Sequence, residues 1–379
     1  MLSPKNYLQC LKESGITFYS GVPDSLLKEF CACVTDQLDE KSHIIAANEG
    51  AAIALAIGHH IGTGNVPLVY MQNSGLGNIV NPLLSLASPE VYKIPMLLVI
   101  GWRGEPNIKD EPQHIHQGRV MTDMLKVMDV PTIILSHDET VAKQQTAEAI
   151  SRAKSNSCPV ALVVRKGLFE PHTPLARLPN SNELSREQAI VCAAEKMDDN
   201  ALVVSTTGMA SRELFEYRIS NELGNHRDFL TVGGMGHTSQ IALGLAISQP
   251  ERKVYCFDGD GSVIMHMGSL GINGVSQCHN FVHIVLNNGC HGSVGGQPTV
   301  GFKIELCAIA KACGYASAVR VRTQQEISKA IYTSTSGTGP AFIEILTNDL
   351  NRKDIGRPTS TPEQNKLELM RFLGVSNDL

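Results

Sequence analysis

The sequence has few aromatic residues and no long apolar run. Aromatic residues make up 5% of the 379 positions, with a single tryptophan. No segment approaches about 18 uninterrupted apolar residues, and no basic stretch precedes an apolar run at the N-terminus, so we expect neither a membrane span nor a signal peptide. There is also no basic excess: the net charge is −5. This balance argues against nucleic acid or an anionic membrane as a partner.

Cysteine pairs with metal-binding spacing are also missing. The ten cysteines form no CxxC motif, and Cys31 and Cys33 flank a single alanine, which is a poor metal spacing. Most are therefore interpreted as small buried hydrophobic residues in a reducing cytoplasm. With 42% apolar and 18% charged residues, the composition predicts a soluble cytoplasmic protein, and its length suffices for two domains.

Short apolar runs rich in β-branched residues alternate with helical patterns throughout the chain. This alternation predicts an α/β fold with parallel sheets. Six strands are expected in each half: Thr17–Ser20, His43–Ala47, Leu68–Gln72, Met96–Ile100, Thr132–Leu135 and Val160–Val164, then Leu202–Ser205, Phe229–Val232, Val254–Phe257, Val282–Leu286, Ala316–Val321 and Ala341–Leu346.

A proline-rich stretch separates the two halves. Residues 171–184 contain three prolines and few apolar residues, which is typical of a linker. Ser185–Gln188 then fits a capping box that begins a new helix. The predicted domains are residues 1–170 and 185–379.

Two polar motifs follow apolar strands in the second half. The strand Lys253–Phe257 leads into the acidic turn Asp258–Gly261, and the strand Phe281–Leu286 leads into Asn287 and Asn288. Open parallel sheets bind ligands at the carboxyl ends of their strands. Carboxylate and amide oxygens suit Mg²⁺, which often also holds a phosphate, and glycine lets the backbone approach that phosphate. The pattern predicts a metal and phosphate site.

Two further segments place chemistry at strand ends. Glu49 follows the strand that begins at His43 and opens a helix of small residues; the simpler interpretation is an acidic residue stabilised by the helix N-terminus. In the second half, the glycine cluster Gly233–Gly236 contains Met235, which could equally be a core methionine. The helix that opens at Gly236 and His237 could bind diphosphate oxygens.

Together these three elements resemble the thiamin-diphosphate-dependent 2-oxoacid decarboxylase family. The resemblance implies two doubly wound parallel-sheet domains, a pyrimidine-binding domain followed by a diphosphate-binding domain. It implies Glu49 beside the aminopyrimidine, Met235 beneath the bent cofactor, and Mg²⁺ held by Asp260, the Asn288 side chain and the Cys290 carbonyl. Further cofactor contacts are implied for Ser74, Thr207, Gly208, Gly236, His237, Gly259, Gly261 and Ser262.

Several other stretches narrow this resemblance, and no middle domain of the longer family members is present. The chain is similar to the phosphonopyruvate decarboxylases, with the sulfopyruvate decarboxylases as the alternative. The implied reaction converts 3-phosphonopyruvate to 2-phosphonoacetaldehyde and CO₂. The stretches are Gly21–Leu27, Gln72–Asn78, Gly101–Pro106, Lys109–His114, Gly295–Thr299 and Arg352–Pro358.

The same resemblance suggests the residues that face the substrate. Asp24 is expected to handle protons, although it also fits a helix N-cap. His114 is a second candidate, and the nearby His116 leaves that choice open. Anion-binding groups are expected on loops, since arginine pairs bidentately with phosphonate oxygens; they are Arg103, Lys109, Ser293, Arg352 and Arg357. Homo-oligomers with active sites between subunits are implied as well.

Two other functional classes are disfavoured. A nicotinamide dehydrogenase would carry G-x-G-x-x-G at a helix that follows an early strand, and the sequence has none there. A scaffold protein without catalysis would be expected to lack Glu49, Asp260 or Asn288, and all three are present.

Overall fold

Parallel β-sheets form the framework of the chain, one in each of two units. The computed structural model describes residues 1–175, 180–335, 337, 339–352 and 354–375. One unit runs to residue 177 and includes 294–297, and the other spans 178–293 and 298–379. Part of the predicted linker, 176–179, lies outside the described residues. Within the described ranges, no helix has both the length and the apolar character needed to cross a bilayer.

The first unit contains a six-stranded parallel sheet with the order β2-β1-β3-β4-β6-β5. Its strands are β1 (Tyr19–Gly21), β2 (His43–Ile45), β3 (Leu68–Gln72), β4 (Met96–Gly101), β5 (Thr132–Ile134) and β6 (Pro159–Val164). Its helices are α1 (Pro4–Glu13), α2 (Lys28–Gln37), α3 (Glu49–Thr63), α4 (Leu76–Pro82), α5 (Pro112–Val127) and α6 (Glu139–Asn156), with a 3₁₀ turn at Asn73–Gly75 and a π-helical turn at Leu83–Ala87.

The second unit contains a six-stranded parallel sheet with the order β13-β14-β10-β9-β7-β8. The strands of this half are β7 (Leu202–Ser205), β8 (Asp228–Leu230), β9 (Val254–Gly259), β10 (Phe281–Asn287), β11 (Cys290–His291), β12 (Gln297–Pro298), β13 (Ser317–Val321) and β14 (Ala341–Leu346). The helices are α7 (Arg186–Ala194), α8 (Met209–Ser220), α9 (Thr238–Ser248), α10 (Asp260–Met265), α11 (Ser269–Val275), α12 (Leu306–Ala312), α13 (Gln324–Thr335) and α14 (Pro362–Phe372), with a 3₁₀ turn at Gly292–Val294.

The two large sheets share one topology. Read from β8, the second sheet repeats the order of the first, with β7 in the place of β1 and β9 in the place of β3. In each sheet these two neighbouring strands are parallel, but the order in which successive strands are added reverses between them. Such a switch in strand order leaves a crevice at the carboxyl ends of the two strands. The ligand crevices are therefore expected after β1 and β3 in the first unit and after β7 and β9 in the second.

Helices cover both faces of each sheet, so a central strand such as β4 is buried and apolar along its whole length. In β4, Leu97 and Val99 join the core on one face, whereas Met96, Leu98 and Ile100 join the core on the other. Alternation of side chains along the strand produces this division, and double-sided burial removes the polar alternation that an exposed face would show.

All twelve predicted strands are confirmed, with ends displaced by at most two residues. β9 extends beyond its predicted end because pairing continues to Gly259, opposite Leu286. The predicted cap of α1 at Ser3 and the capping box at Ser185 are also confirmed. Sequence analysis missed β11 and β12, since two-residue strands carry no periodicity.

Candidate active site

The acidic turn and the asparagine turn of the second unit meet at Asp260. Asp260 opens α10 directly after β9 and is only 2% exposed. The backbone N–H of Asn288, which follows β10, donates to its carboxyl, and the Thr299 hydroxyl donates to Oδ2. Burial raises the pKa of this carboxyl to about 6, because desolvation disfavours the charged form. A cation at this position would offset that cost.

The two adjacent asparagines have different surroundings. Asn287 is fully buried, and its Nδ2 donates to the Gly301 carbonyl at 2.9 Å and to Glu344 at 2.8 Å. Asn288 lines the cavity beside Asp260, and its Oδ1 accepts from the backbone N–H of Cys290 at 3.1 Å. Asn287 therefore fixes the loop that contains Gly301, whereas Asn288 borders the cavity.

This cavity collects most of the predicted cofactor residues of the second unit. It lies at the carboxyl ends of β7, β9 and β10, which includes the crevice that the topology defines. Its walls combine backbone amides, hydroxyls, two carboxylates, one guanidinium group and a few apolar side chains. The lining residues are Arg186, Thr206, Thr207, Met209, Ala210, Met235, Asp258, Gly259, Asp260, Gly261, Ser262, Leu286, Asn288, Cys290, His291, Gly292 and Ser293.

The glycine turn before α9 presents Met235 to this cavity. Met235 is half-buried, and the next residue, Gly236, donates its N–H to Ser262 at 3.0 Å. Gly236 has φ +89°, and a Cβ there would overlap the His266 ring, so only glycine fits without strain. His237 is exposed, and its Nδ1 lies 3.2 Å from the Gly234 and Met235 carbonyls.

The turn after β7 forms another wall. Thr207 lines the cavity, and Gly208 has φ +96° as it leads into α8. A Cβ at Gly208 would lie 3.7 Å from the Ser293 side chain. Thr207 and Ser293 therefore border the same space.

Sequence analysis missed Arg186, a buried cation in the cavity wall. Its Nε and Nη2 donate to Glu213 at 2.8 and 2.7 Å, and Nη2 also donates to Asn351 at 2.8 Å. Burial raises the pKa of Glu213 despite this pairing. The capping box located Arg186 at the start of α7, but no local signal showed that its side chain lines a cavity beside Asn288, about a hundred positions later.

His291 is a second residue that sequence analysis missed. A Cβ at Gly261 would lie 2.9 Å from its ring, so the imidazole packs against the acidic turn. Burial lowers the pKa of His291 to about 4. The ring is therefore neutral at pH 7 and brings hydrogen-bonding capacity without positive charge.

In the first unit, Glu49 is the first residue of α3 and is 5% exposed. Asn78 donates to its Oε2 at 2.6 Å. Gly75 lies over Oε1, since a Cβ at that glycine would come within 2.5 Å of this atom. The preceding residue, Asn48, caps the helix by accepting from Ala51. Glu49 is therefore a fixed carboxyl group and is not needed as the helix cap.

Asp24 is fully buried at the crevice between β1 and β3. Gln72 donates to its Oδ1 at 2.5 Å, and the backbone N–H of Leu27 donates to its Oδ2 at 3.2 Å. Ser74, which is exposed, donates to Gln72 at 2.8 Å. Burial raises the pKa of Asp24. Asp24 is therefore not the helix N-cap that the simpler interpretation expects, since the N-cap of α2 is Leu27. It accepts from the turn before α2 and belongs to a polar chain that reaches the surface through Ser74.

Arg103 is paired within the unit. Its Nε and Nη2 donate to Asp110 at 2.8 and 2.5 Å, and its Nη1 donates to Ser25 at 2.6 Å. Although burial opposes the change, Arg103 and two backbone amides lower the pKa of Asp110. Arg103 and Asp110 line a cavity of about 380 Å³ with Trp102, Lys166 and Phe169. Arg103 therefore makes an ion pair within the loop that follows β4.

The two candidate histidines differ in environment. His114 is half-buried in the first turn of α5, and its Nδ1 is buried with no hydrogen-bond partner among the described residues. Burial and the nearby Arg103 charge lower its pKa. His116 is exposed, with its Nδ1 2.7 Å from the Arg119 guanidinium. These environments favour His114 as the histidine of the site.

The remaining predicted substrate cations lie at the surface. Lys109 is exposed and forms no hydrogen bond or ion pair in the part of the chain that the structure describes. Arg352 pairs with Glu187 at 3.0 Å, with Asp354 at 3.4 Å and with Glu216. Arg357 is exposed. Arg352 is thus surrounded by carboxylates, which leaves little of its charge for a ligand.

Models of two thiamine pyrophosphate enzyme domains match the chain. The N-terminal TPP binding domain matches residues 6–126, and the C-terminal TPP binding domain matches residues 206–345. Asp24 and Glu49 lie in the first region, whereas Met235, Asp260 and Asn288 lie in the second.

Curated relatives agree with these domains. A phosphonopyruvate decarboxylase from Streptomyces viridochromogenes is 33% identical over 96% of this chain and 93% of its own length. Another from Streptomyces hygroscopicus is 33% identical over 96% of this chain and 92% of its own length. A sulfopyruvate decarboxylase from Methanosarcina acetivorans is 26% identical over 95% of each chain. The chain therefore belongs to the phosphonopyruvate decarboxylase family of thiamine pyrophosphate enzymes.

Proposed function

We propose that the chain decarboxylates 3-phosphonopyruvate to 2-phosphonoacetaldehyde and CO₂, a step of phosphonate biosynthesis, with thiamin diphosphate and Mg²⁺. The observation that carries this proposal is the junction of Asp260 and Asn288 at one cavity, in a chain 33% identical to phosphonopyruvate decarboxylases. When bound, the cofactor accepts the electron pair that the departing CO₂ leaves behind.

Mg²⁺ fits the groups around Asp260. The carboxylate of Asp260, the amide oxygen of Asn288 and the carbonyl of Cys290 are hard oxygen ligands of the kind that Mg²⁺ prefers. Supporting this assignment, Asp260 is nearly fully buried and burial raises its pKa to about 6. We assign these three groups to the metal, and the backbone amides and hydroxyl of Gly259, Gly261 and Ser262 to the diphosphate.

The remaining cofactor contacts follow from the cavity walls. Met235 supplies the apolar surface beneath the cofactor. Thr207, Gly208, Gly236 and His237 surround this surface at the starts of α8 and α9. In the other unit, Ser74 ends the polar chain from Asp24, and we assign it to the pyrimidine side of the cofactor.

Glu49, Asp24 and His114 are proposed to move protons. Glu49 keeps Oε1 toward Gly75 while Asn78 holds Oε2, so one oxygen can exchange a proton with a ring nitrogen of the cofactor. Asp24 holds its proton to higher pH because burial raises its pKa, which suits a group that protonates the product carbon. His114, with a lowered pKa, is neutral at pH 7 and able to accept a proton.

The phosphonate is proposed to interact with Arg103, Lys109, Ser293, Arg352 and Arg357, but these residues do not contribute equally. Lys109 offers an uncommitted charge. Arg103 remains a hydrogen-bond donor beside Asp24, although Asp110 compensates its charge. Arg352 is largely compensated by carboxylates. We therefore expect Lys109 and Arg103 to contribute more than Arg352 to recognition of the anion.

The active enzyme is proposed to be a homo-oligomer with sites between subunits. Helices α9 and α11 pack on each other and contain no charged residue. They nevertheless expose Ile241, Ile247, Ile272 and Val275, with exposed fractions from 41% to 68%. Uncharged, aliphatic faces of this kind mark protein interfaces, and a second copy of the chain is the partner that the family resemblance implies.

A cytoplasmic location is also proposed. All ten cysteines are free thiols in the structure, and cysteines stay reduced in the cytoplasm.

Product analysis separates the proposed substrate from its alternative. Purified enzyme with thiamin diphosphate and Mg²⁺ is given phosphonopyruvate, sulfopyruvate and pyruvate in parallel, and the aldehyde products are identified by mass spectrometry. Phosphonopyruvate should be preferred by at least about a hundredfold in kcat/KM over pyruvate, since two charged hydrogen bonds each contribute roughly 1.5–3 kcal/mol. A preference for sulfopyruvate would support the alternative, and equal efficiency on pyruvate would contradict both.

A further inference from the structure

A buried Asp–His pair lies in the apolar core of the second unit, beneath the turn Gly259–Gly261 that carries Asp260 and is called the metal turn below. Asp258 and His283 are each 1% exposed, on neighbouring strands β9 and β10. Around them lie Phe281, Phe342 and Cys256. Burial of two such groups costs free energy unless they pair and bond well. Because Asp258 stands two residues before Asp260, the pair is well placed to act on the proposed metal site.

Hydrogen bonds connect this pair to the turn itself. His283 Nε2 lies 3.3 Å from Asp258 Oδ2, and the other carboxylate oxygen, Oδ1, accepts from the backbone N–H of Gly259 at 3.0 Å. Gly259 is the residue immediately before Asp260 and ends β9. The imidazole therefore holds the carboxylate of Asp258, and that carboxylate holds the amide at which the metal turn begins.

The opposite side of the imidazole is held as well. His283 Nδ1 lies 3.0 Å from the Tyr315 hydroxyl. A buried polar chain thus runs from the Gly259 amide through Asp258 and His283 to Tyr315. The imidazole is therefore held at both ring nitrogens.

We propose that His283 is a positioning residue for the metal site: through Asp258 it fixes the Gly259 turn and hence the direction of the Asp260 carboxylate. His283 does not line the cofactor cavity; it acts through Asp258, which does. Residues that orient a ligand from behind typically change metal affinity by about 10–100-fold. Loss of His283 should accordingly weaken Mg²⁺ binding while leaving the chemistry intact once the metal is bound.

The experiment measures the Mg²⁺ concentration that half-saturates thiamin diphosphate binding, by equilibrium dialysis of the full chain, together with kcat at excess Mg²⁺. His283→Leu should raise the half-saturating concentration about tenfold or more, with kcat restored to within about twofold by excess metal. His283→Gln keeps an N–H donor toward Asp258, so it should stay within about threefold of wild type.

A matched control separates positioning from loss of stability. Leu369→Ala removes a buried side chain of the same core, on α14, and should lower the melting temperature without changing the Mg²⁺ requirement. If His283→Leu is too unstable to purify, Tyr315→Phe removes the other hydrogen bond of the ring with little change in volume. It should raise the requirement about threefold or more, within the range for such supporting residues.

Several outcomes would overturn the proposal. An unchanged Mg²⁺ requirement in His283→Leu or Tyr315→Phe, or an equal rise in Leu369→Ala, would reduce the pair to a structural role. Cys256, Asp258 and His283 also present ligand atoms within 4.8 Å of one another. Stoichiometric zinc in the wild-type protein that Cys256→Ala loses would make the cluster a metal site instead. The inference rests on the proposed function. If the wild-type protein does not bind thiamin diphosphate, however, that result contradicts the proposed function and not the role of His283.

Discussion

The Arg103 guanidinium and the Asp110 carboxylate form a bidentate ion pair, with N–O distances of 2.8 and 2.5 Å. Seven positions separate the two residues in the loop after β4, and both side chains are less than one-fifth exposed. The pair gives the loop a defined shape beside Asp24. Arg103 therefore has a structural role in addition to any contact with substrate.

Single substitutions of Arg103 and Asp110 separate the structural role of the ion pair from the role of Arg103 in substrate binding. Arg103→Ala and Asp110→Ala should each lower the melting temperature, because each leaves a partly buried partner without its counter-ion. Arg103→Ala should further lower kcat/KM for phosphonopyruvate by at least about tenfold relative to Asp110→Ala, since one charged hydrogen bond contributes roughly 1.5–3 kcal/mol. Equal losses of kcat/KM in both single variants would leave Arg103 a purely structural residue.

Glu49→Gln should fold normally and lose most activity. The amide retains the shape of the side chain but cannot exchange a proton. Asn78→Ala is the control, because it keeps the carboxyl group and removes only the 2.6 Å hydrogen bond to it; its loss should be smaller. Activity of Glu49→Gln within about tenfold of wild type, or roughly 1.4 kcal/mol of barrier, would contradict the role of Glu49.

The stability of the cofactor-free protein should depend on the ionisation of Asp260. Its folded-state pKa is raised to about 6, so the folded state holds the proton more tightly than the unfolded state does. Stability contributed by this group therefore falls as pH rises from about 4 through about 6. The difference in melting temperature between wild type and Asp260→Asn should follow this trend without Mg²⁺ and flatten with Mg²⁺ and cofactor.

Two results would contradict this account of Asp260. One is a difference curve that is flat across the same pH range in the absence of metal. The other is an Asp260→Ala variant that binds thiamin diphosphate with Mg²⁺ at wild-type affinity, which would remove Asp260 from the metal site.

Subunit association should depend on the uncharged face of α9 and α11. Ile247→Glu should dissociate the oligomer in sedimentation velocity, because it places a charge in an apolar interface. Val127→Glu is the matched control: Val127 is 83% exposed against 61% for Ile247, but it belongs to α5 of the other unit. An active wild-type monomer would refute the proposal of shared sites.

Mixed oligomers test whether two chains share one site. Glu49→Gln subunits lack the proposed proton-exchanging group, and Asp260→Ala subunits lack the proposed metal ligand. After mixing and exchange, part of the activity should return, since one hybrid interface then carries both intact residues. Complete absence of complementation, with exchange shown by mass spectrometry, would indicate that each site is built within one chain.

Local patterns in the sequence were sufficient to predict the fold. Strand runs, the capping box at Ser185 and the glycine turns depend on neighbouring residues, so they can be recognised without tertiary contacts. The placement of Asp260 and Asn288 at neighbouring strand ends was also predictable, because parallel strands bring their carboxyl ends to one edge. Roles for Glu49 and Met235 came from the resemblance of their motifs to a family.

Only the tertiary structure decided which side chains pair. Arg103 pairs with Asp110, although other carboxylates are near it in sequence. Arg186 of α7 lines the cavity beside Asn288, and His283 lies beneath the turn that carries Asp260. Charge pairing and burial depend on distances between segments that are remote in sequence, and one-dimensional spacing carries no information about them. The sequence by itself therefore determined the elements and the chemistry at their ends, whereas three-dimensional packing determined which charges remain available to a ligand.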